Sequence, residues 1–562
     1  MDYRAEYKRW LEKIEAADDL VAEEKSGLLD ELRSMDEAAV EDAFYRNLAF
    51  GTGGLRGTLG AGCNRMNVIT VAKASQGLAN YLLRTCAHPS VVIGYDSRLK
   101  SDVFQREAAA VFAANGIRVH AWKDLLPVPT VSYAVRALGA SAGVMITASH
   151  NPSKYNGYKV YGADGCQITT EAAEEILKEI EGVDPFADVK RMAWPEALEQ
   201  QCVSYIPETV LTAFIEEVRN QSVLYGDAVD RDVAIVYSPL NGTGLVPVTR
   251  VLEESGFTNI TVVEEQRNPD GHFPTCPYPN PEIREAMELG LQYCRKTGAD
   301  LMLATDPDCD RCGIAVRDRD DYTLLTGNEV GLLLLDYICS QRQKHGRMPE
   351  KPVFVKTIVT MDLAEKIAEH YGVETVNVLT GFKFIGEVIG RLEKDGRAED
   401  YICGFEESYG YLTGSYVRDK DAVNAAFMIC EMFAFYKTRG ISLLQKLEEL
   451  YRSYGYCMNT LHSYEFPGSS GMAKMGEIMS GFHAGLETIG GEKVVRTEDY
   501  SRGLNGLPAS DVLKFFTEQG SVVIRPSGTE PKLKTYISVM APDRAAATAV
   551  EAAIRADLEK KL

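Results

Sequence analysis

Apolar residues along this chain follow two alternating periods, and the switches between them mark its elements. Tyr3, Tyr7, Trp10, Leu11 and Ile14 recur at helical spacing between charges, which predicts an opening amphipathic helix laid on the body of the protein. From Val91, short β-branched runs alternate with helical stretches: VVIGYDSR, a helix over DVFQREAAAVFAANG, IRVHAW, a helix over PTVSYAVRALG, then AGVMITAS ending at Ser149. The order repeats from Val233 (VAIVYS, VPVTRVLEESG, NITVVEE, PEIREAMELGLQYCRKTG) to a strand LMLAT that enters Asp306. It repeats again from Val353, through VFVKTIV, MDLAEKIAEHYG, TVNVL and FIGEVIGRLEK, to YICGF entering Glu406. The tail reads differently: a helix near GMAKMGEIMSGFHAGLETIG, strands KFFTE, VVIRPS and KTYISVM, and a last helix over AAATAVEAAIRADLEK. The expected fold is α/β: three tandem βαβαβ-type domains plus a smaller C-terminal α+β domain around a central cleft. We divide the chain into residues 1–202, 203–325, 326–456 and 457–562. Each α/β unit delivers a polar motif just past a strand, where open α/β sheets gather their ligands.

A length of 562 residues with 45% hydrophobic content supports several packed cores. The formal net charge of −21 argues against a general electrostatic grip on nucleic acid or an anionic membrane, so an anionic ligand must be held by local cations. The start MDYRAEYKRWLEKI is charged throughout, with no apolar signal core, and no run of about twenty apolar residues occurs. A cytoplasmic protein is expected, acting on small molecules as a monomer or weak homodimer. Twelve dispersed cysteines fit a reducing compartment. Cys309 and Cys312 spell C-x-x-C, but no second pair or nearby His completes a zinc site.

Four motifs carry chemistry. In TASHNPSKYNGYKVYGADG an apolar strand stops at Thr147, Pro152 and Gly157 make a loop, and the Ser149 hydroxyl stands at a strand end where it can carry a phosphoryl group; His150 and Lys159 supply charge or hydrogen bonds. In ATDPDCDRCG, Asp306, Asp308 and Asp310 alternate beside Arg311. Converging carboxylates repel by about 4 kcal/mol per pair at about 4 Å and an effective dielectric near 20, so the cluster requires a cation, and its all-oxygen donors favour Mg²⁺. An EF-hand fits poorly, since Arg311 and Arg317 stand where Gly and Glu belong. IRPSGTEPKLK sets Arg525, Ser527, Gly528, Thr529 and Lys532 in a turn suited to an anion. GFEESYGYL places Glu406, Glu407 and Ser408 where they can bind sugar hydroxyls.

In this order along the chain, the motifs resemble those of the α-D-phosphohexomutase superfamily, with T-A-S-H-N-P and D-x-D-x-D-R the decisive parts. The resemblance implies a phosphoserine at Ser149, Mg²⁺ on Asp306, Asp308 and Asp310, sugar hydroxyls bound by Glu406 and Ser408, and the idle phosphate gripped by Arg525, Ser527, Gly528 and Thr529. FGTGGLRG resembles the family's amino-terminal loop and puts Arg56 beside the phosphoserine; LTGFKFIG resembles its sugar-orienting loop, with Thr380, Gly381 and Lys383. Lys159 matches a family lysine by its place after Ser149. One branch reads G-E-M-S-G-H and offers a His as proton carrier, whereas Gly410 stands at that place here. The GFEES form followed by Lys420 in RDKDA looks more like the glucose-specific branch, and either Lys420 or Lys159 would then exchange the hydroxyl proton.

The implied reaction interconverts glucose 1-phosphate and glucose 6-phosphate through a glucose 1,6-bisphosphate intermediate, with the bisphosphate as activator that primes the serine. Mannose and pentose phosphates are the alternative substrates. An aspartyl-phosphate phosphatase with Asp306 as nucleophile is a rival that leaves TASHNP and RPSGTEP unexplained. A catalytically silent sugar-phosphate binder is a second rival.

Overall fold

The computed structural model describes residues 2–51, 53–466, 471–526 and 532–562. The opening helix Tyr3–Ala16 starts where the Asp2 carboxylate accepts from the amides of Arg4 and Ala5. Its apolar stripe buries Trp10 and Ile14, and the Trp10 ring meets Phe44 and Phe186 edge-on, at 5.6 and 5.5 Å between centroids.

Three α/β units follow, each built on its own sheet. The first has seven strands, with Ser90–Tyr95 parallel to both Arg118–Ala121 and Ala142–Ile146. The second has five, centred on Leu301–Thr305 parallel to Ile235–Ser238. The third has four, with Val353–Thr357 parallel to Glu374–Val378 and Tyr401–Phe405. The parallel strands Ala142–Ile146, Leu301–Thr305 and Tyr401–Phe405 are buried at every position, as strands covered by helices on both faces must be.

The units share a feature beyond the expected βαβαβ order. Each motif-bearing strand is followed by an antiparallel partner: Tyr155–Gly162 after Ile146, Cys312–Asp318 after Thr305, Tyr411–Thr413 after Phe405. The motifs are therefore the turns between a parallel and an antiparallel strand, and each turn holds one non-glycine residue in the left-handed region: Ser149 (φ 54°), Cys309 (φ 52°) and Tyr409 (φ 66°). The turns also touch one another. The amide of Val128 donates to the Asp308 carbonyl, Cys312 N to Tyr409 O, and Ala422 N to Cys309 O.

The C-terminal unit is a five-stranded antiparallel sheet in which Tyr456–Glu465 pairs along its whole length with Lys532–Ala541, and the helix Arg544–Glu559 covers it. A small apolar cluster of Ile358, Val359, Leu379, Tyr500, Val512, Val523 and Tyr536 joins it to the third unit. At that junction buried Lys514 donates to Asp362 at 2.9 Å and the Ser521 hydroxyl donates to the same carboxylate at 2.6 Å. Tyr536 in this junction feels the charges of both Arg525 and the third unit's Glu407. Among the described residues no helix is long and apolar enough to cross a membrane. Cys309 and Cys312 are buried free thiols, both pushed up by burial and by the neighbouring Asp306.

Candidate active site

The Ser149 turn begins where the apolar strand ends at Ile146. Ser149 donates its amide to Thr147 Oγ1 (2.9 Å), and its left-handed backbone carries strain of order 1–3 kcal/mol that the surroundings must maintain. Its hydroxyl, almost fully buried, lies 3.1 Å from His150 Nδ1 and donates to Asp306 Oδ2 at 3.3 Å. Burial, with Arg311 and Arg56 nearby, holds the His150 imidazole well below its usual range, so it is neutral at pH 7.

The aspartate turn buries three carboxylates together. One carboxylate oxygen from each of Asp306, Asp308 and Asp310 lies within 4.8 Å of the others. Asp306 Oδ1 accepts from the amides of Asp310 (3.0 Å) and Arg311 (2.9 Å), which turns its Oδ2 toward Ser149. Burial and the two neighbouring carboxylates push Asp306 well above the ordinary carboxylate range. Asp308 Oδ1 and Asp310 Oδ1 are buried without a hydrogen-bond partner. Orphaned anionic oxygens in an all-oxygen cluster fit a hard divalent cation, which the three side chains could hold.

Two lysines face this cluster. Lys159, on Tyr155–Gly162, reaches Asp308 at 2.9 Å and Asp310 at 3.4 Å; Lys420 reaches Asp310 at 3.3 Å and Asp419 at 3.1 Å. Burial alone would lower both ammoniums, but the facing carboxylates outweigh it and raise them. For Asp310 the cations Lys420, Lys159 and Arg311 outweigh burial in the opposite sense and hold it below its ordinary value. Gly410 has a steric reason: a Cβ there would stand 2.2 Å from Lys420 Cδ and 2.7 Å from its Cγ. The lysine stem fills the space that a side chain at 410 would need.

Arg311 ion-pairs with Glu282 and donates to the Ser408 carbonyl at 3.2 Å. Glu406, buried at the third strand end, accepts from the Gly381 amide at 3.0 Å, and Lys420 and Arg311 offset the upward push of burial on it. Thr380 and Gly381 form the turn before the helix Phe382–Lys394, and Lys383 in its first turn lies 5.0 Å from the Phe384 ring. Arg56, on Gly54–Thr58, feels the charges of Asp308, Asp310 and Arg311. The structure thus gathers Ser149, His150, Lys159, Arg56, Arg311, Glu406, Lys420 and the aspartates.

The fourth motif is only partly described. Ser527, Gly528 and Thr529 lie outside the described residues. Arg525 ends the strand Gly520–Pro526 and sits directly across from Lys534. Lys534 has no hydrogen-bond or ion-pair partner among the described residues, and burial plus the Arg525 and Lys532 charges push its ammonium down. Like charges set opposite each other destabilise a sheet unless an anion joins them. Across from this pair Glu407 is pushed up to about 7 by burial and the adjacent Glu406.

Sequence reasoning missed Lys534 and also Arg98, whose side chain is fully buried. Arg98 Nη1 donates to the carbonyls of Pro152 (3.0 Å) and Tyr155 (3.1 Å), and Nη2 to those of Ser149 and Asn151. The one available signal is an Arg at the end of an apolar strand in GYDSR.

Comparison with known proteins places the domains that carry these turns. Residues 47–185, 212–319 and 326–454 match the descriptions "Phosphoglucomutase/phosphomannomutase, alpha/beta/alpha domain" I, II and III, and residues 488–556 match the C-terminal domain. The chain is 36% identical over 543 residues to a phosphoglucomutase of Staphylococcus saprophyticus, covering 94% of this chain and 96% of that one. It is also 36% identical over 521 residues to a phosphoglucomutase of Staphylococcus aureus, covering 89% and 91%. Its fold is similar to the open form of parafusin, a phosphoglucomutase from Paramecium (TM-score 0.69, 17% identity, 92% and 95% covered). It is likewise similar to a phosphoglucomutase/phosphomannomutase family protein of Burkholderia thailandensis (TM-score 0.67, 17% identity, 91% and 97% covered).

Proposed function

The chain belongs to the phosphoglucomutase/phosphomannomutase family and is a phosphohexomutase, an isomerase-class enzyme; from that premise we propose that it interconverts glucose 1-phosphate and glucose 6-phosphate. The observation that carries the mechanism is Ser149 Oγ, buried 3.3 Å from Asp306 and 3.1 Å from a neutral His150. Relatives named phosphoglucomutase over nine-tenths of the chain support glucose as the sugar.

In this reading Ser149 passes a phosphoryl group to the free hydroxyl of the sugar phosphate, the bisphosphate turns over, and the other phosphate returns to Ser149. In each half-reaction the Lys420 ammonium, kept charged by Asp310 and Asp419, relays a proton, giving one to the oxygen that leaves as it takes one from the hydroxyl that attacks; Ser149 Oγ leaves in the first half and attacks in the second, while Lys159 and Arg56 balance charge beside the serine. Glu406 and Ser408 hold sugar hydroxyls, and Arg525 with Lys534 holds the idle phosphate. Mg²⁺, held by Asp306, Asp308 and Asp310, would draw charge from the transferring phosphoryl group. Glucose 1,6-bisphosphate is the activator that loads the serine. A phosphatase with Asp306 as nucleophile is disfavoured, because two backbone amides hold one Asp306 oxygen and the other accepts from Ser149.

The test is a substrate panel with MgCl₂ and bisphosphate primer. Fastest turnover on glucose 1-phosphate is expected, equal rates on mannose 1-phosphate would refute the glucose preference, and no isomerisation of any hexose phosphate would refute the mutase reading.

A further inference from the structure

The loop at residues 268–283 of the second unit, rich in proline, belongs to none of the motifs, yet it touches two of them. Phe273 lies in it with φ 48° and 1% exposure, and its ring covers the guanidinium of Arg98, 5.2 Å from centroid to Cζ. Two residues earlier, Gly271 packs against the backbone beside Arg98: a Cβ there would stand 2.4 Å from Leu99 N and 2.7 Å from Ser97 O. At the other end, Glu282 pairs with Arg311, and Pro281 fits under Gly313, where a Cβ would meet it at 2.8 Å.

Arg98 is thereby enclosed. Asp96 lies at 3.4 Å on its Nε side and is itself fixed by the Arg98 amide (2.9 Å) and the Ser101 hydroxyl (2.8 Å). The Arg98 Nη1 and Nη2 groups donate to the carbonyls of Ser149, Asn151, Pro152 and Tyr155. Converging carbonyls make a negative pocket that a planar, five-donor guanidinium fills and a three-donor ammonium does not. The turn they belong to holds Ser149 in a backbone region that persists only when its surroundings over-determine it.

We propose that Arg98 and Phe273 are positioning residues for phosphoryl transfer: Phe273, carried on the second unit, holds Arg98, and Arg98 holds the Ser149 turn in register with the aspartate turn that the same loop braces through Glu282 and Pro281. Neither side chain touches the reacting atoms. Both act by fixing where Ser149 Oγ stands relative to Asp306. This rests on Ser149 as the phosphoryl carrier.

Phe273→Leu keeps an apolar side chain of similar volume and removes the ring face; Arg98→Lys keeps the charge and removes the fork. Each full-length variant is assayed for kcat and KM on glucose 1-phosphate, for thermal unfolding, and for phosphate on the Ser149 peptide after priming with glucose 1,6-bisphosphate. A misplacement near 1 Å costs about 10²-fold, so kcat falls on that order in Arg98→Lys and roughly tenfold in Phe273→Leu, with KM within about twofold of wild type. Priming of Ser149 slows in parallel. Wild-type kcat in folded Phe273→Leu overturns the proposal, as does a loss that merely tracks the unfolded fraction. If Arg98→Lys does not fold, Phe273→Leu decides. A wild-type enzyme that turns over without phosphate on Ser149 refutes the underlying reading instead, whereas a primed wild type with unaffected variants refutes only this inference.

Discussion

Asp308→Asn separates what the aspartate cluster does for function from what it does for the fold. The Asp308 side chain is fully buried, takes a hydrogen bond from Thr147 Oγ1 at 3.1 Å, and pairs with Lys159 at 2.9 Å. At an effective dielectric of about 20, Asp306 and Asp310 within 4.8 Å each oppose its charge by about 3.5 kcal/mol or more, and Lys159 offsets about 5.7 kcal/mol. Repulsion of about 7 kcal/mol from the two carboxylates against attraction of about 5.7 kcal/mol from Lys159, with Arg56 and Arg98 adding to the attraction, leaves the ionised side chain near Coulomb balance in the absence of a cation. The isosteric amide keeps the Thr147 bond and its volume. The metal-free variant should therefore differ from wild type by no more than about 2 kcal/mol. Function responds differently. Losing one of three cation ligands should cost kcat about 10³-fold. It should also abolish stabilisation by MgCl₂, which for wild type reaches about 2.7 kcal/mol at a hundredfold excess over Kd. Thermal unfolding in EDTA and in MgCl₂, with kcat alongside, reads all three quantities. A loss above about 4 kcal/mol in EDTA would show that Asp308 is chiefly a structural ion-pair partner, and an intact MgCl₂ shift would refute its place in the cation site.

Gly410→Ala forces its methyl against Lys420, 2.2 Å from Cδ, so kcat should drop on the order of 10²-fold with little change in Tm; wild-type kcat would remove Lys420 from proton transfer. Lys534→Met should raise KM for glucose 1-phosphate several-fold while leaving stability unchanged or up to about 1 kcal/mol higher, because it relieves the cross-strand repulsion with Arg525; steady-state kinetics and thermal unfolding decide it. His483 is raised by its hydrogen bond to Asp511, which outweighs the opposing effect of burial, and Asp499 adds to the rise. A raised folded pKa means its stabilisation is full below the unfolded value near 6.5 and is lost as pH rises through the folded value. The Tm difference between wild type and His483→Gln should shrink across that interval, and a difference that grows with pH would contradict the assignment.

Much of the site is legible in the sequence because strands buried on both faces read as unbroken apolar runs, so LMLAT and YICGF announce where Asp306 and Glu406 stand. The antiparallel strands after each motif are less legible. YNGYKVYG mixes glycine, lysine and tyrosine because one of its faces carries Lys159 into the site, and CGIAVRD runs from full burial to open solvent. The left-handed backbone at Ser149, Cys309 and Tyr409 falls on residues that do not favour it, so no glycine marks it. Arg98 and Lys534 escape for another reason: their roles come from partners that only the fold brings together. The absent histidine at 410 is visible in the sequence, but the packing of the Lys420 stem into that space is not.

The central claim is that Ser149 carries the phosphoryl group, and mapping the phosphate on enzyme exchanged with glucose 1,6-bisphosphate tests it most directly. Peptide mass spectrometry should find one phosphoryl group, on Ser149, which leaves when glucose 1-phosphate is added and never appears in Ser149→Ala. Phosphate on Asp306, or a bare Ser149 in enzyme that still isomerises glucose 1-phosphate, would contradict the account.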